Sequence, residues 1–117
     1  IYRGGRMNLY QQPYNLRNKI AIQKKVESTE PFQPLDNYED YTKLRSEVRF
    51  LRGRNFYAAR AANVKTDVEF IIRYREDLDE TMRVVYKNKN YEIEGIIPLD
   101  NSNSFMMIKA YEIKHDM

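Results

Sequence analysis

Between Asn18 and Lys24 the chain alternates. Ile20 and Ile22 fall on one side, and Lys19, Ala21 and Gln23 fall on the other, which predicts a strand with one buried face. The alternation returns from Tyr41 to Leu51, where Leu44, Ser46, Val48 and Phe50 oppose Lys43, Arg45, Glu47 and Arg49. Such a clean division predicts a long strand with one wet face. From Asp67 to Arg75, Val68, Phe70, Ile72 and Tyr74 share a face. Met82, Val84 and Tyr86 do so over a shorter strand from Met82 to Lys87. Asn88-Lys89-Asn90 reads as a tight turn, because Asn tolerates the left-handed region, and Tyr91 to Ile97 is the return strand. The last strand, Phe105 to Ile113, sets Met106, Ile108 and Ala110 against Phe105, Met107 and Tyr111. Apolar residues on both sides predict a strand covered on two faces.

The breaks between these runs have distinct chemistry. Glu27 to Asp40 carries Pro31 and Pro34, five carboxylates and no basic residue. It reads as a loop longer than a compact domain usually keeps, either mobile or holding a partner. Gly53 ends the second strand, and the alanine-rich run from Asn55 to Ala62 predicts a helix of about two turns with Asn63 as its stop. Glu76 to Thr81 is an acidic turn, and Pro98 to Ser104 a further loop. Six strands and one short helix give a mainly β fold, a small six-stranded barrel or sandwich-like domain with long loops.

Length and composition narrow the class. A chain of 117 residues fits one domain with one modest core. Ten Tyr and five Phe without Trp supply much of the core area and suit strands. There is no Cys, which removes disulfides, thiolate catalysis and thiolate zinc sites, and fits a reducing compartment. No apolar run approaches the ~20 residues that span a bilayer, so no membrane role is expected. Residues 1–6, which include Arg3-Gly4-Gly5-Arg6, lack the apolar stretch of a signal peptide, and synthesis in a cytoplasm is expected. They read either as an ordinary N-terminus or as a leader outside the native protein, the in-frame translation of a purine-rich ribosome-binding site before Met7. On the second reading, residues 7–117 form the single domain.

Candidate chemistry is sparse. His115 is the single His and lies by the C-terminus, where a general base is not expected. Gly4-Gly5 lacks the P-loop pattern. Glu76, Asp77, Asp79 and Glu80 do not match the spacing of a calcium loop, and Glu92 and Glu94 read as a wet strand face. No catalytic, cofactor-binding or metal-ligating residues are assigned. The net charge of +3 is mild, but its placement is not even. From Arg49 to Lys65 there are five basic residues and no acidic one, with Phe56 and Tyr57 among them. Arg52, Arg54, Phe56, Tyr57, Arg60 and Lys65 therefore form a candidate DNA-contacting set, since cations hold phosphates and aromatics stack on bases. The same run also reads as the solvated face of a short helix. In an oligomer, the carboxylates Glu27, Glu30, Asp36, Glu39 and Asp40 of one subunit could meet Lys43, Arg45 and Arg49 of the next.

Three stretches carry a resemblance to a known family. They are Arg17-Asn18-Lys19-Ile20-Ala21-Ile22-Gln23; then Glu47-Val48-Arg49 to Gly53 with Asn55-Phe56-Tyr57-Ala58-Ala59; and then Phe70 to Arg75, Asp77-Leu78, Thr81 to Tyr86 and Tyr91 to Ile97. Their order resembles that of the phage head–tail joining proteins, also called head-closure, stopper or head–tail adaptor proteins, over Leu16 to Ile113. Many relatives have Trp where this chain has Tyr41, and glycine in the hairpin turn where it has Asn88-Lys89-Asn90. The resemblance implies a structural protein of a phage or prophage, not an enzyme and without a cofactor. It would form a ring of its own copies beneath the portal and adaptor proteins, close the DNA-filled head and dock tail proteins. It would touch packaged double-stranded DNA in the channel, near the basic run. Its place would be the virion, after assembly in the host cytoplasm. Two other readings stay open: a small barrel that binds single-stranded nucleic acid, and a tail-completion protein.

Overall fold

The computed structural model describes residues 14–26 and 37–113. Residues 1–6, Glu27, Glu30, Asp36 and His115 lie outside these residues. The element order is β1 (Asn18–Lys25), β2 (Tyr38–Phe50), α1 (Gly53–Ala61), β3 (Val68–Arg73), β4 (Arg83–Tyr86), β5 (Lys89–Pro98) and β6 (Phe105–Glu112). The strands form a closed barrel in the order β1-β2-β3-β6-β5-β4, every neighbouring pair antiparallel. The mainly β expectation therefore holds, as a barrel. Closure removes the exposed sheet edges that would otherwise template aggregation.

The period-two faces account for the interior. Ile20 and Ile22 of β1, Val68, Phe70 and Ile72 of β3, Val84 and Tyr86 of β4, Tyr91 and Ile93 of β5, and Met106, Ile108 and Ala110 of β6 share one core. Phe70 is central, with Tyr86 and Tyr91 edge-on to its ring at 6.0 and 5.4 Å. Burying each such side chain contributes about 1.5–3 kcal/mol. Ser46 also points inward and is fully buried, its hydroxyl donating to the Glu47 carbonyl at 2.9 Å. Phe50 departs from the expected inner face and is 44% exposed, because β2 ends there and the next residues lead out to α1.

Part of the outer face is covered as well. Ile71 and Phe105 are buried outside the central core. Tyr14 packs edge-on against Phe105 at 5.1 Å, and the Asn15 N–H donates to the Glu47 carboxylate at 2.6 Å. Residues 14–17 thus strap the outside of β2, β3 and β6, which explains the two apolar faces of β6.

Several element ends differ from the sequence reading, three of them with consequences for pairing or for the site. The strand β2 starts at Tyr38, so Glu39 and Asp40 belong to a strand paired with Lys24 and Gln23 rather than to the acidic loop. A bulge at Tyr41 breaks the alternation there and hides the extension. The β4–β5 turn is Lys87-Asn88, one residue earlier than expected, with both residues at positive φ (51° and 65°) and Tyr86 opposite Lys89. That two-residue turn sets Val84 opposite Tyr91 so that both face the core; the expected three-residue turn over Asn88-Lys89-Asn90 would set Lys87 opposite Tyr91 and turn Tyr91 outward. Helix α1 begins two residues early, at Gly53, whose φ of +54° swings the chain out of β2. Its end matches the expected stop. Asn63 is left-handed, its N–H donates to the Arg60 carbonyl, and the Val64 N–H donates to the Ala59 carbonyl.

Candidate DNA-facing and docking surfaces

Helix α1 is unusual in burying none of its residues. Packing does not hold it, so polar contacts must. Arg60 supplies several. Its guanidinium donates to the Val64 carbonyl at 2.9 Å and the Thr66 carbonyl at 3.1 Å, pairs with Asp67, and lies 4.4 Å over the Phe56 ring. The other oxygen of Asp67 accepts from the Glu112 N–H at 3.2 Å, tying this cluster to β6. Glu94 supplies the second anchor. It is the extra residue of a bulge in β5, between Ile93 opposite Ala110 and Gly95 opposite Lys109. The bulge aims its carboxylate at the α1–β3 connection, where it accepts from the Lys65 N–H at 3.0 Å and from the Thr66 hydroxyl. Partial burial works against ionisation of Glu94, but these donors outweigh it and hold the pKa below its ordinary value.

The six candidate DNA-contacting residues therefore divide. Arg60 is turned back into the connection. Phe56 is half-buried between Arg60 and an edge-on Tyr57. Lys65 reaches over the Tyr111 ring at 5.7 Å. Arg52, Arg54 and Tyr57 face solvent, Tyr57 being 71% exposed, and neither arginine has an ion pair among the described residues. Arg52 is the N-cap and Arg54 lies in the first turn, which holds no acidic residue. Positive charge at this end opposes the helix dipole, costing roughly 0.3–1 kcal/mol for each charge, and adds to the field that attracts anions.

The barrel is electrically polar along its length. The basic connection from Leu51 to Asp67 and the Lys87-Asn88 turn lie at one end. The β3–β4 and β5–β6 loops lie at the other and carry Glu76, Asp77, Asp79, Glu80 and Asp100 against Arg75 alone. Asp77 is fixed there. Arg75 donates to both of its oxygens at 2.9 and 2.7 Å, and Tyr41 donates at 2.8 Å, which hold its pKa down at about 2. Tyr41, like Glu94, is the extra residue of a bulge, and each reaches a loop that its own strand does not contact through the ladder.

The candidate interface residues are less uniform than their sequence pattern. Glu39 pairs with Lys24 at 3.9 Å, and Asp40 accepts from Gln23 at 2.9 Å. Arg49 pairs with Glu47 and lies 5.6 Å over Tyr14. Lys43 and Arg45 are exposed and line an outer groove together with Lys19 and Lys87. Sequence reasoning missed Lys19, Lys87 and the anchors Asp67 and Glu94. The outward parity of Lys19 was readable, but its strand neighbours were not. Among the described residues no group of acidic or His side chains is placed to hold a metal ion, and no helix is long and apolar enough to cross a membrane.

No curated protein matches the chain. Its fold is similar to the solution structure of protein SF1141 from Shigella flexneri 2a, with a TM-score of 0.68 and 22% identity over 87% of this chain and 96% of that one. The sequence model of the phage head completion proteins matches residues 12–113, which takes in the whole barrel, both bulges and α1. With that match the chain belongs to the phage head completion protein family, and its role is structural, in the phage head and tail.

Proposed function

We propose that copies of this chain form a ring at the head–tail junction, close the DNA-filled head and offer the surface on which the tail docks, with α1 turned toward the channel. One observation carries this reading: a helix that buries none of its residues is nevertheless tied down by Arg60, Asp67 and Glu94. A helix held without a core beneath it presents its surface rather than supporting the fold. Arg52, Arg54 and Tyr57 are what it presents, a pair of cations and an aromatic ring suited to phosphate and base contact. Lys65 flanks them on the connection that Glu94 fixes. The aromatic rings of Phe70, Tyr86 and Tyr91 lie inside the barrel, where they cannot stack on single strands.

The test is retention of DNA by filled heads completed with variant protein. Arg52→Ala with Arg54→Ala should leave the barrel folded and let DNA leak before tails attach. Arg60 is kept, because it holds the α1–β3 connection. Retention at the wild-type level would exclude a gating role for these charges.

A further inference from the structure

The outer face of β4, β1 and β2 forms a groove of about 540 Å³ with an unusual charge. Lys19, Lys43, Arg45 and Lys87 line it, over Ala21 and Val85, and no carboxylate does. Lys19 stands directly opposite Arg45 in the β1–β2 register. Like charges in that position destabilise a sheet, where an opposite pair would stabilise it. Arg45 finds only a long contact of 3.5 Å to the Arg17 carbonyl. A sequence selected for barrel stability alone would not place these cations together.

The β3–β4 loop has the complementary character. Leu78 is buried in the core, Arg75 and Tyr41 hold Asp77, and Asp79 accepts from the Thr81 N–H at 2.9 Å. These contacts fix the loop and leave Glu76 and Glu80 exposed, without an ion pair among the described residues. Both surfaces are thus pre-shaped, which limits the ordering cost of bringing them together.

We propose that this basic groove receives the Glu76–Glu80 loop of a second copy of the chain, as the two unlike halves of a head-to-tail contact. The inference rests on the ring reading above, since a closed ring of identical subunits needs two different, mutually complementary patches. The floor of Ala21 and Val85 favours a protein occupant over DNA, whose phosphates need no apolar contact. The groove is lined by residues of the barrel wall and the β4–β5 turn and by none of α1, so ring formation and DNA contact use separate residues.

A charge swap tests it, read as the yield of completed, tailed particles in a phage lacking its own copy of the gene. Lys19→Glu with Arg45→Glu should cut the yield about tenfold or more, and Glu76→Lys with Glu80→Lys should do the same, as expected when like charges are set against each other. All four substitutions together should restore most of the yield. Melting of the purified variants near the wild-type temperature separates lost contact from lost fold, and Lys19→Arg with Arg45→Lys should keep the yield. Wild-type yield from either reversed pair would overturn the proposal. So would a fourfold variant as defective as the pairs; if its heads also leak DNA, the groove meets DNA instead. Failure of the wild-type protein itself to complete heads would overturn the ring reading and this contact with it.

Discussion

The Thr66 hydroxyl donates to the Glu94 carboxylate across 28 positions of sequence, joining the α1–β3 connection to the bulge of β5. Thr66 is buried, at 2% exposure, so its hydroxyl needs this partner. Glu94→Ala would leave the hydroxyl and the Lys65 N–H without it, at a cost of roughly 1–3 kcal/mol. The loss should be local. Hydrogen exchange should speed most at Lys65 and through α1, and least in β3 and β6.

The same carboxylate sets a pH dependence. Its folded pKa lies below its ordinary value, so the stability it contributes is full above the unfolded pKa of about 4.3 and falls as the pH drops through the folded value. Glu94→Gln should flatten the loss of stability on acidification below about pH 4, read by thermal melts at successive pH values.

Asp77 should behave alike over a lower window. With its pKa at about 2, its contribution persists at pH 4 and is lost as the pH falls toward 2. Asp77 is partly exposed, so solvent screening keeps the effect modest. Tyr41→Phe removes one donor and should raise the Asp77 pKa in an NMR titration, while Arg75→Ala should raise it further.

Gly53 is a backbone requirement rather than a space requirement. A Cβ there would meet nothing within 4 Å, but the φ of +54° disfavours any L side chain. Gly53→Ala should therefore cost about 1–2 kcal/mol in urea unfolding without disturbing the core. Gly95→Ala also meets open space, at a backbone without positive φ, and is the control that should cost less.

Much of the barrel was legible because burial enforces parity. Ile20, Ile22, Phe70, Ile72 and Val84 all point where their alternation sends them, since a slip of one residue would put each into water. The boundaries at Tyr41 and Lys87 were not legible. A bulge adds a residue that follows no period, and a two-residue turn is chosen by the pairing it must produce. The basic run was visible as composition, but its division was not. Nothing local marks Arg60 as facing Asp67 and Arg54 as facing solvent. That choice depends on the Schellman turn at Asn63 and on where β3 then begins. The groove was legible only in part, through Lys43 and Arg45, because Lys19 and Lys87 join it by cross-strand register.

Cryo-electron microscopy of filled particles at the head–tail vertex locates this chain and its helix in one measurement. The expected density is a ring of copies below the portal, with α1 on the channel side and Arg52 and Arg54 within reach of the terminal DNA. A ring with α1 on its outer surface, away from DNA, or no copy of the chain at that vertex, would contradict the proposed role.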